Sequence, residues 1–372
     1  MSYNCVIILG PTAVGKTAIG VNVASYFNAE IISADSRQTY CKLDIGSGKD
    51  LDEYVVNGKQ IPYHLIDIVS LPTEYNVYNY QQDFYKAFSD IKSRNVLPVI
   101  VGGTGMYLDA IVRDYQLVIL PENPELHKQL EETPLEVLAA RLLELQPDLH
   151  TKCDLQEKDR VIKALEIIEA KKQGVISTSS QRPEINPFII GTTLPRPKMW
   201  ENISIRLKER LENGMLEEVQ SIHDSGITWE RLEKLGLEYR FCSEFLQGKI
   251  ATKDELYEKL FIAIRQFAKR QETWFRMMEK KGVKINWLQS ESKEDRIKEA
   301  INLIQKADLE LNDKKVQVDK KEKEQRELDS SITNLERIIE EITVGQYPQF
   351  YKDENREINE IVQILKESEQ LL

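Results

Sequence analysis

The sequence predicts an α/β protein built on a doubly wound parallel sheet, and three observations carry that prediction. Short apolar runs at residues 6–9, 30–33 and 97–101 alternate with stretches of helical spacing. A glycine-rich loop directly follows the first run and opens the first helix. Strands that alternate with helices form parallel sheets, and the crossing helices cover both faces.

The elements follow in chain order. Residues 6–9 are predicted to form a buried strand, 16–27 a helix with an apolar face, and 30–33 a second strand. An amphipathic helix at 80–94 precedes a third strand at 97–101, and GGTG follows it. Strand patterns then give way to helices at 134–145 and 157–174. A strand at 188–196, helices at 203–214 and 254–282, and a short strand at 284–288 return the chain to the sheet.

This order predicts four segments. Residues 1–115 form the first part of the α/β core, 116–190 a helical insertion, and 191–290 the second part of the core with a basic helix. Residues 291–372 form a charged extension, mostly helical or disordered, which carries −7 of the formal net charge of −11. An acidic chain argues against a nucleic-acid partner, but the first 290 residues are nearly balanced and leave room for a local basic face.

Composition excludes several classes of protein. The chain is 41% hydrophobic and 30% charged, and no apolar run approaches the ~20 residues of a membrane span. The first residues lack the features of a signal peptide. Four cysteines and four histidines are scattered without a C-x-x-C pair, which argues against a disulfide framework and a zinc site. We therefore expect a cytoplasmic protein without membrane contact, and a monomer.

The segment GPTAVGKT, residues 10–17, matches the phosphate-binding pattern G-x-x-x-x-G-K-[ST] at every fixed position. Its glycines let the backbone curl so that amides point inward, and the helix N-terminus adds partial positive charge. Lys16 supplies a full charge, and the Thr17 hydroxyl can hold Mg²⁺ or a phosphate oxygen. The core is therefore expected to be P-loop NTPase-like. The predicted diphosphate- or nucleotide-binding residues are Gly10, Pro11, Thr12, Ala13, Val14, Gly15, Lys16 and Thr17.

Two more polar loops follow predicted strands. Asp35, Ser36, Arg37 and Gln38 come directly after the second strand, and Thr104 lies within GGTG after the third. Ligands bind at the carboxyl ends of parallel strands, so we expect the three loops to converge on one cleft. Asp35 can hold Mg²⁺ or accept a proton, Arg37 can meet a phosphate, and the Ser and Gln can recognise a base edge. Helix capping explains the Asp or the Ser but not all four residues together.

The chain resembles the tRNA dimethylallyltransferase family, also called tRNA isopentenyltransferases. The similar segments occur in the family's order from residue 5 to about 276 and cover roughly three quarters of the chain. They are GPTAVGKT, IISADSRQTYCKLDIGSGK, IPYHLIDI, PVIVGGTGMYLDAIV, DRVIKALEI, RLKERLENGMLEEV and FAKRQETWFR.

The resemblance implies transfer of a dimethylallyl group from dimethylallyl diphosphate to the N6 amine of the adenosine at tRNA position 37, with release of diphosphate. The diphosphate would lie in the phosphate loop with Mg²⁺, and the adenine would be flipped into a channel. By the family's pattern, Asp35 is the general base, Lys16 and Thr17 stabilise the leaving diphosphate, and Thr104 and Arg206 face the reacting centre. The implied catalytic residues are Asp35, Thr17, Thr104 and Arg206.

The tRNA contacts implied by the resemblance lie on the polar loops and on two helices. The basic helix at 264–276 carries cations that would meet phosphates, among aromatic residues that we expect in the core. Two departures from the family bear on these contacts: Lys163 stands where an Arg is usual, and KLGLEYR at 234–240 replaces an IGYKE-like stretch. The expected tRNA-binding residues are Asp35, Ser36, Arg37, Gln38, Thr104, Asp159, Arg160, Lys163, Arg265, Lys269 and Arg270.

Three alternatives stay open at this point. An adenylate isopentenyltransferase would share the loop and the base, but it would need neither the helical insertion nor the basic helix. A small-molecule P-loop kinase does not explain the crowded SADSRQ segment. A non-catalytic RNA-binding module does not explain the intact set of catalytic residues. The extension after residue 288 contains no Cys or His, so it is not a zinc finger, and the sequence assigns it no function.

Overall fold

A computed structural model describes residues 3–117, 123–147, 154–172 and 182–343. Six strands form one sheet in which every pairing is parallel, and two short strands form a separate antiparallel hairpin. In chain order the strands are β1 (Cys5–Leu9), β2 (Glu30–Ala34), β3 (Val55–Val56), β4 (Lys59–Gln60), β5 (Tyr63–His64), β6 (Pro98–Gly102), β7 (Pro187–Gly191) and β8 (Asn286–Trp287). The order across the sheet is β5-β2-β6-β1-β7-β8.

Helices surround this sheet and extend beyond it. They are α1 (Lys16–Phe27), α2 (Val77–Ser93), α3 (Gly105–Val112), α4 (Pro124–Glu132), α5 (Leu135–Leu145), α6 (Lys158–Lys172), α7 (Arg196–Glu212), α8 (Met215–Asp224), α9 (Trp229–Leu235), α10 (Leu237–Leu246), α11 (Lys253–Lys280) and α12 (Lys293–Thr343). None of the helices among the described residues is both long and apolar enough to cross a membrane.

Helices cover both faces of the sheet, as a doubly wound fold requires. In β1, Cys5, Ile7 and Leu9 face a core completed by α2, α3 and α11, whereas Val6 and Ile8 face a core completed by α1 and the start of α12. The side chains alternate because successive residues of a strand point to opposite faces. The predicted α/β, P-loop-like fold with a parallel sheet is confirmed.

Two further apolar clusters lie outside the two sheet cores. Helices α4, α5 and α6 pack on one another around Leu130, Leu138, Leu142 and Val161. Helices α7 to α11 enclose a larger cluster, which includes Ala13 from the phosphate loop. This second cluster forms the wall that faces the carboxyl ends of the central strands.

The chain divides into two compact units, Met1–Ile304 and Gln305–Leu372. The first turns of α12 belong to the first unit, where Ala300 and Ile304 are fully buried in a core of the sheet. Of the second unit, the structure describes the continuation of α12 to Thr343. The four-segment division predicted from the sequence stays a prediction, and parts of its insertion and extension lie outside the described residues.

The structure shifts several predicted boundaries. The strand expected at 188–196 ends at Gly191, and the helix expected from residue 203 begins at Arg196. Proline is tolerated in the first turn of a helix because its missing N–H would have no partner there, so Pro197 does not delay the start of α7. The last strand is shorter than expected, and α3, α4 and α8 to α10 were not predicted.

Candidate active site

Three loops meet at the carboxyl ends of β2, β6 and β1, which are neighbours in the sheet. They border a cavity of about 500 Å³, as expected for ligands at the carboxyl ends of parallel strands. The cavity is lined by ten residues that the sequence singled out: Thr12, Lys16, Thr17, Asp35, Ser36, Arg37, Gln38, Thr104, Arg206 and Arg270.

A left-handed glycine ends the phosphate loop, and a side chain from α11 holds the loop in place. Gly15 precedes α1 in the left-handed region with φ 83°, which glycine adopts without steric cost. The buried side chain of Gln271 accepts a hydrogen bond from the Thr12 N–H at 2.8 Å. Its amide nitrogen donates to the Gly103 carbonyl at 2.8 Å. Gln271 therefore ties the loop after β1 to the loop after β6.

Lys16 points into the cavity and has an altered acidity. Its ammonium donates to the Pro11 carbonyl at 2.6 Å. Burial lowers the pKa of Lys16 to about 8, with the nearby Asp35 carboxylate opposing that effect and Arg206 adding to it. Removal from water disfavours the charged form, so a bound anion would restore a favourable environment for the ammonium.

Asp35 uses one oxygen for local structure. Its Oδ1 accepts hydrogen bonds from the backbone N–H groups of Arg37 at 2.8 Å and Gln38 at 3.4 Å. The helix-capping role considered from the sequence is wrong, because residues 36–39 form a turn and no helix begins there; Asp35 closes that turn through a single oxygen. No hydrogen bond among the described residues engages Oδ2, which belongs to a cavity-lining side chain. The fixed turn orients the carboxylate, and its second oxygen is available for a hydrogen bond to a ligand.

The other polar residues after β2 are partly committed to internal bonds. Gln38 accepts a hydrogen bond from the Ser33 hydroxyl at 3.0 Å and donates to the Gly48 carbonyl at 3.1 Å. The backbone N–H of Ser36 donates to the Thr104 hydroxyl at 3.1 Å. These bonds connect the loops after β2 and β6 with the segment around Gly48, so they stiffen the cavity wall.

Two arginines one helical turn apart on α7 line the cavity. Arg206 contacts Asp50 at 3.0 Å, and Arg210 lies 3.7 Å from Glu238. Burial lowers the pKa of Arg206, and the neighbouring Arg210 lowers it further. Gly48 packs directly on them: with φ 64°, it has a backbone on which a Cβ atom would lie 1.7 Å from Arg210 Nη2. A side chain at that position would displace the arginines.

A carboxylate from α8 fixes the loop that packs on the arginines. Glu218 accepts hydrogen bonds from three consecutive backbone N–H groups, those of Asp44, Ile45 and Gly46, at 3.0, 2.6 and 3.1 Å. It also accepts one from the Tyr239 hydroxyl at 2.9 Å. Glu218 therefore orders the segment that ends in Gly48.

The charges that line the cavity favour anionic ligands. Six cationic side chains face two carboxylates, and burial raises the pKa of one of these, Glu238, against the effect of Arg210. An excess of cations in a partly enclosed cleft attracts phosphate groups. The cations are Lys16, Arg37, Arg206, Arg210, Arg240 and Arg270.

The residues at the start of α1 fit a magnesium ion only in combination with a ligand. Among the described residues, no group of three or more His, Cys, Asp or Glu side chains could hold a metal. Mg²⁺ is commonly bound through one or two protein oxygens together with substrate phosphates. The Thr17 hydroxyl and the Asp35 carboxylate, both at the cavity, supply donors of that kind.

The remaining predicted tRNA contacts do not line this cavity. Asp159, Arg160 and Lys163 are exposed on α6 in the helical insertion. Lys269 is exposed on α11, whereas the Arg265 guanidinium lies over the Trp200 ring, 3.9 Å from its centroid. Arg265 therefore packs against an aromatic side chain of α7. The expectation that aromatic residues of α11 belong to the core is confirmed for Phe275, which is fully buried.

Several residues of the site were missed from the sequence, among them Arg240, which lies at the end of KLGLEYR. Arg210 could have been found, because it lies four residues after Arg206 and so shares its helix face. Gln271 lies inside the FAKRQETWFR segment, but nothing in the sequence shows that it reaches two loops more than 150 residues away. Glu218 and Glu238 carry no pattern that separates them from surface glutamates.

Comparison with known proteins places this chain in a family. The sequence profile described as IPP transferase matches residues 38–278, and that described as isopentenyl transferase matches residues 3–64. A tRNA dimethylallyltransferase 2 of Treponema denticola is 50% identical over 289 residues, which cover 77% of this chain and 96% of that protein. A tRNA dimethylallyltransferase 1 of Syntrophus aciditrophicus is 46% identical over 294 residues, covering 79% and 96%.

Solved structures agree with the sequence comparison. The full-length tRNA isopentenylpyrophosphate transferase of Bacillus halodurans matches with a TM-score of 0.60 at 29% identity, covering 82% of this chain and 97% of that one. The corresponding transferase of Staphylococcus epidermidis matches with a TM-score of 0.56 at 27% identity, covering 82% and 99%. With a profile match over more than half of its length and relatives of this identity, the chain belongs to the IPP transferase family.

Proposed function

We propose that this protein transfers the dimethylallyl group of dimethylallyl diphosphate to the N6 amine of the adenosine at position 37 of tRNA. The observation that carries the proposal is the cavity itself, where an oriented carboxylate faces a phosphate loop among six cationic side chains. Its relatives are named tRNA dimethylallyltransferases, which favours a tRNA acceptor over free adenylate and over a kinase activity.

The roles of the residues follow from the bonds that change. The amine nitrogen forms a bond to the allylic carbon while the carbon–oxygen bond to diphosphate breaks. The nitrogen then loses one proton, and Asp35 Oδ2 accepts it because Oδ1 is held by the backbone of its own turn. A weakly basic aromatic amine needs such an acceptor. Thr104 fixes this turn through its hydrogen bond to the Ser36 N–H. Its proposed position is beside the reacting centre, since it lines the same cavity.

The leaving diphosphate gains negative charge as the carbon–oxygen bond breaks. Lys16, the inward amides of the phosphate loop and Arg206 oppose that charge. Arg206 forms an ion pair with Asp50, and this contact orients the guanidinium before the substrate arrives. The Thr17 hydroxyl would help to hold Mg²⁺, which would neutralise part of the same charge.

The tRNA is proposed to bind along a path from the cavity to the exposed basic residues. Arg37, Arg240 and Arg270 line the cavity and suit phosphates near the flipped base. Lys163 and Arg160, exposed on α6, suit phosphates farther along the anticodon stem. These contacts would make binding sensitive to salt, although the whole chain is acidic.

A transfer assay tests the proposal. The protein is incubated with labelled dimethylallyl diphosphate and Mg²⁺, and with either AMP or an unmodified anticodon stem-loop that carries adenosines at positions 36 and 37. We expect label in the stem-loop alone, and loss of that label in Asp35→Ala. Label in AMP alone would assign the protein to the adenylate class, and label in neither acceptor would refute prenyl transfer.

A further inference from the structure

Arg296, in the first turn of α12, reaches the back of the phosphate loop. It is only 5% exposed. Its Nη1 donates hydrogen bonds to the Val14 carbonyl at 2.6 Å and to the Thr192 hydroxyl at 3.0 Å. The extension to which this residue belongs had no function from the sequence, yet it contributes a buried cation to the loop.

The bond to Val14 orients the amide group that follows it. In a planar trans peptide the carbonyl oxygen and the N–H of the next residue point in opposite directions. Because Arg296 holds the Val14 oxygen behind the loop, the Gly15 N–H points away from the arginine, toward the opposite side of the loop. The arginine thus fixes one of the amides on which anion binding by such a loop depends.

Arg296 forms no ion pair with a carboxylate in the described part of the chain, and the one opposite charge that acts on it is the more distant Glu294 on the same helix. Its hydrogen bonds go to neutral oxygens, and none of the described carboxylates lies within 4 Å of it. Its Nη2 lies 3.9 Å from the position that a Cβ atom on Gly15 would occupy. Burial lowers the pKa of Arg296, and the Glu294 carboxylate opposes that effect. A buried cation without a partner destabilises a protein unless a nearby anion compensates for it.

We propose that Arg296 is a positioning residue for the diphosphate: it holds the Val14–Gly15 peptide and supplies a positive charge from behind the loop. The first turn of α12 is then part of the phosphate-binding site. The inference rests on the proposed function for the identity of the diphosphate, but binding of inorganic pyrophosphate tests it without any tRNA.

The experiment compares substitutions that separate charge from shape. Arg296→Lys keeps the charge, and Arg296→Gln keeps a hydrogen-bond donor without the charge. Lys298→Gln is the control: it removes a charge from the same helix, at a side chain that is 75% exposed. Affinity for inorganic pyrophosphate with Mg²⁺ is measured by calorimetry. We expect Arg296→Gln to bind about tenfold more weakly, which is the scale of one nearby charge partly screened by protein and water. Arg296→Lys should keep most of the affinity, and Lys298→Gln all of it.

Kinetics separate a positioning role from a merely structural one. In Arg296→Gln we expect KM for dimethylallyl diphosphate to rise while KM for tRNA stays unchanged. A variant that melts at a lower temperature but binds pyrophosphate like wild type would overturn the proposal, as would equal losses in the Lys and Gln variants. If Arg296→Gln does not fold, a wild-type pyrophosphate affinity in Arg296→Lys supports the proposal and a tenfold loss overturns it. Failure to prenylate tRNA with this affinity pattern intact would refute only the proposed function.

Discussion

The two ends of strand β2 carry acidic residues in opposite situations. At the amino end, the buried Glu30 accepts hydrogen bonds from both terminal guanidinium nitrogens of Arg94, the one from Nη2 to Oε2 at 2.7 Å, and its Oε2 lies 2.8 Å from His64 Nε2. Just beyond the carboxyl end, Asp35 is held by two backbone N–H groups of its own turn. One carboxylate is paired with Arg94 and hydrogen-bonded to His64, and the other keeps one oxygen without a hydrogen bond among the described residues.

In this sheet, charges at the amino ends of the strands stabilise the fold, whereas charges at the carboxyl ends serve ligand binding. Hydrogen bonds from Arg94 hold the pKa of Glu30 at about 2, so this charge contributes to folding. At the other end, burial lowers the pKa of Lys16, and Arg296 is buried without an ion pair to any described carboxylate. Charges at the carboxyl ends therefore cost stability until an anionic ligand binds, as is common at functional sites.

The largest expected effect comes from Asp35→Asn. The amide cannot take a proton from the amine, so we expect the rate of transfer to fall about 10²–10⁴-fold, the usual range for loss of a general base. The side-chain oxygen of Asn can still accept the two backbone hydrogen bonds of the turn, so the melting temperature should change little. Single-turnover transfer to a stem-loop and thermal unfolding measure the two quantities.

Glu30→Gln is the matched control at the other end of the strand, and it should show the reverse pattern. If Asp35→Asn instead lowered the melting temperature strongly and left the rate within threefold of wild type, its carboxylate would serve structure and not proton transfer.

A smaller loss is expected from Gln271→Leu, which breaks the link between two of the three loops. The phosphate loop and the loop after β6 would each lose one hydrogen bond, and the Thr12 N–H would lose its partner. We expect transfer to fall about tenfold, with a higher KM for dimethylallyl diphosphate, because small errors in positioning are costly. Gln271→Glu keeps an acceptor for Thr12 and should retain more activity. Equal rates in Gln271→Leu and wild type would contradict the proposed link.

Much of the carboxyl end could be predicted because its signals are local. The phosphate loop, the segment from Asp35 to Gln38 and Thr104 all follow short apolar strands directly, and the convergence of parallel strand ends places them together. The helix at Lys16–Phe27 was predicted with its observed limits, since an apolar face continues from the loop to the αL residue Asn28.

The rest depends on contacts between distant residues, which a pattern in one sequence does not show. Gln271 and Arg296 reach the phosphate loop from more than 250 residues away. Gln38 looks like a base-recognising side chain, but both ends of its amide are bonded within the protein. The ion pairs of Glu30 were also not predicted, because the sequence does not show that Arg94 lies next to the start of this buried strand in the fold.

The next prediction concerns stability at the amino end. Glu30→Gln removes a charge that is bonded to Arg94 and His64, and we expect the free energy of unfolding at pH 7 to fall by about 1–2 kcal/mol. The folded-state pKa lies below the ordinary value of 4.5, so this contribution is present above pH 4.5 and is lost as the pH falls toward 2. Urea unfolding at pH 7 and pH 3 measures it. The difference between variant and wild type should shrink at pH 3, and a constant difference would mean that the charge is not responsible.

The smallest effect should appear at alkaline pH and at the opposite end of the sheet. Lys16 loses its proton near pH 8 instead of near 10.5, because burial disfavours the ammonium. If only the charged form binds well, the affinity for pyrophosphate should be about fourfold lower at pH 8.5 than at pH 7, after correction for the ionisation of pyrophosphate itself. Lys16→Arg keeps its charge over this range and should lose that pH dependence.

Acid would thus weaken the amino end through Glu30, and alkali would weaken ligand binding at the carboxyl end through Lys16. A pH profile of Lys16→Arg that follows wild type would assign the alkaline loss to another group and break this contrast.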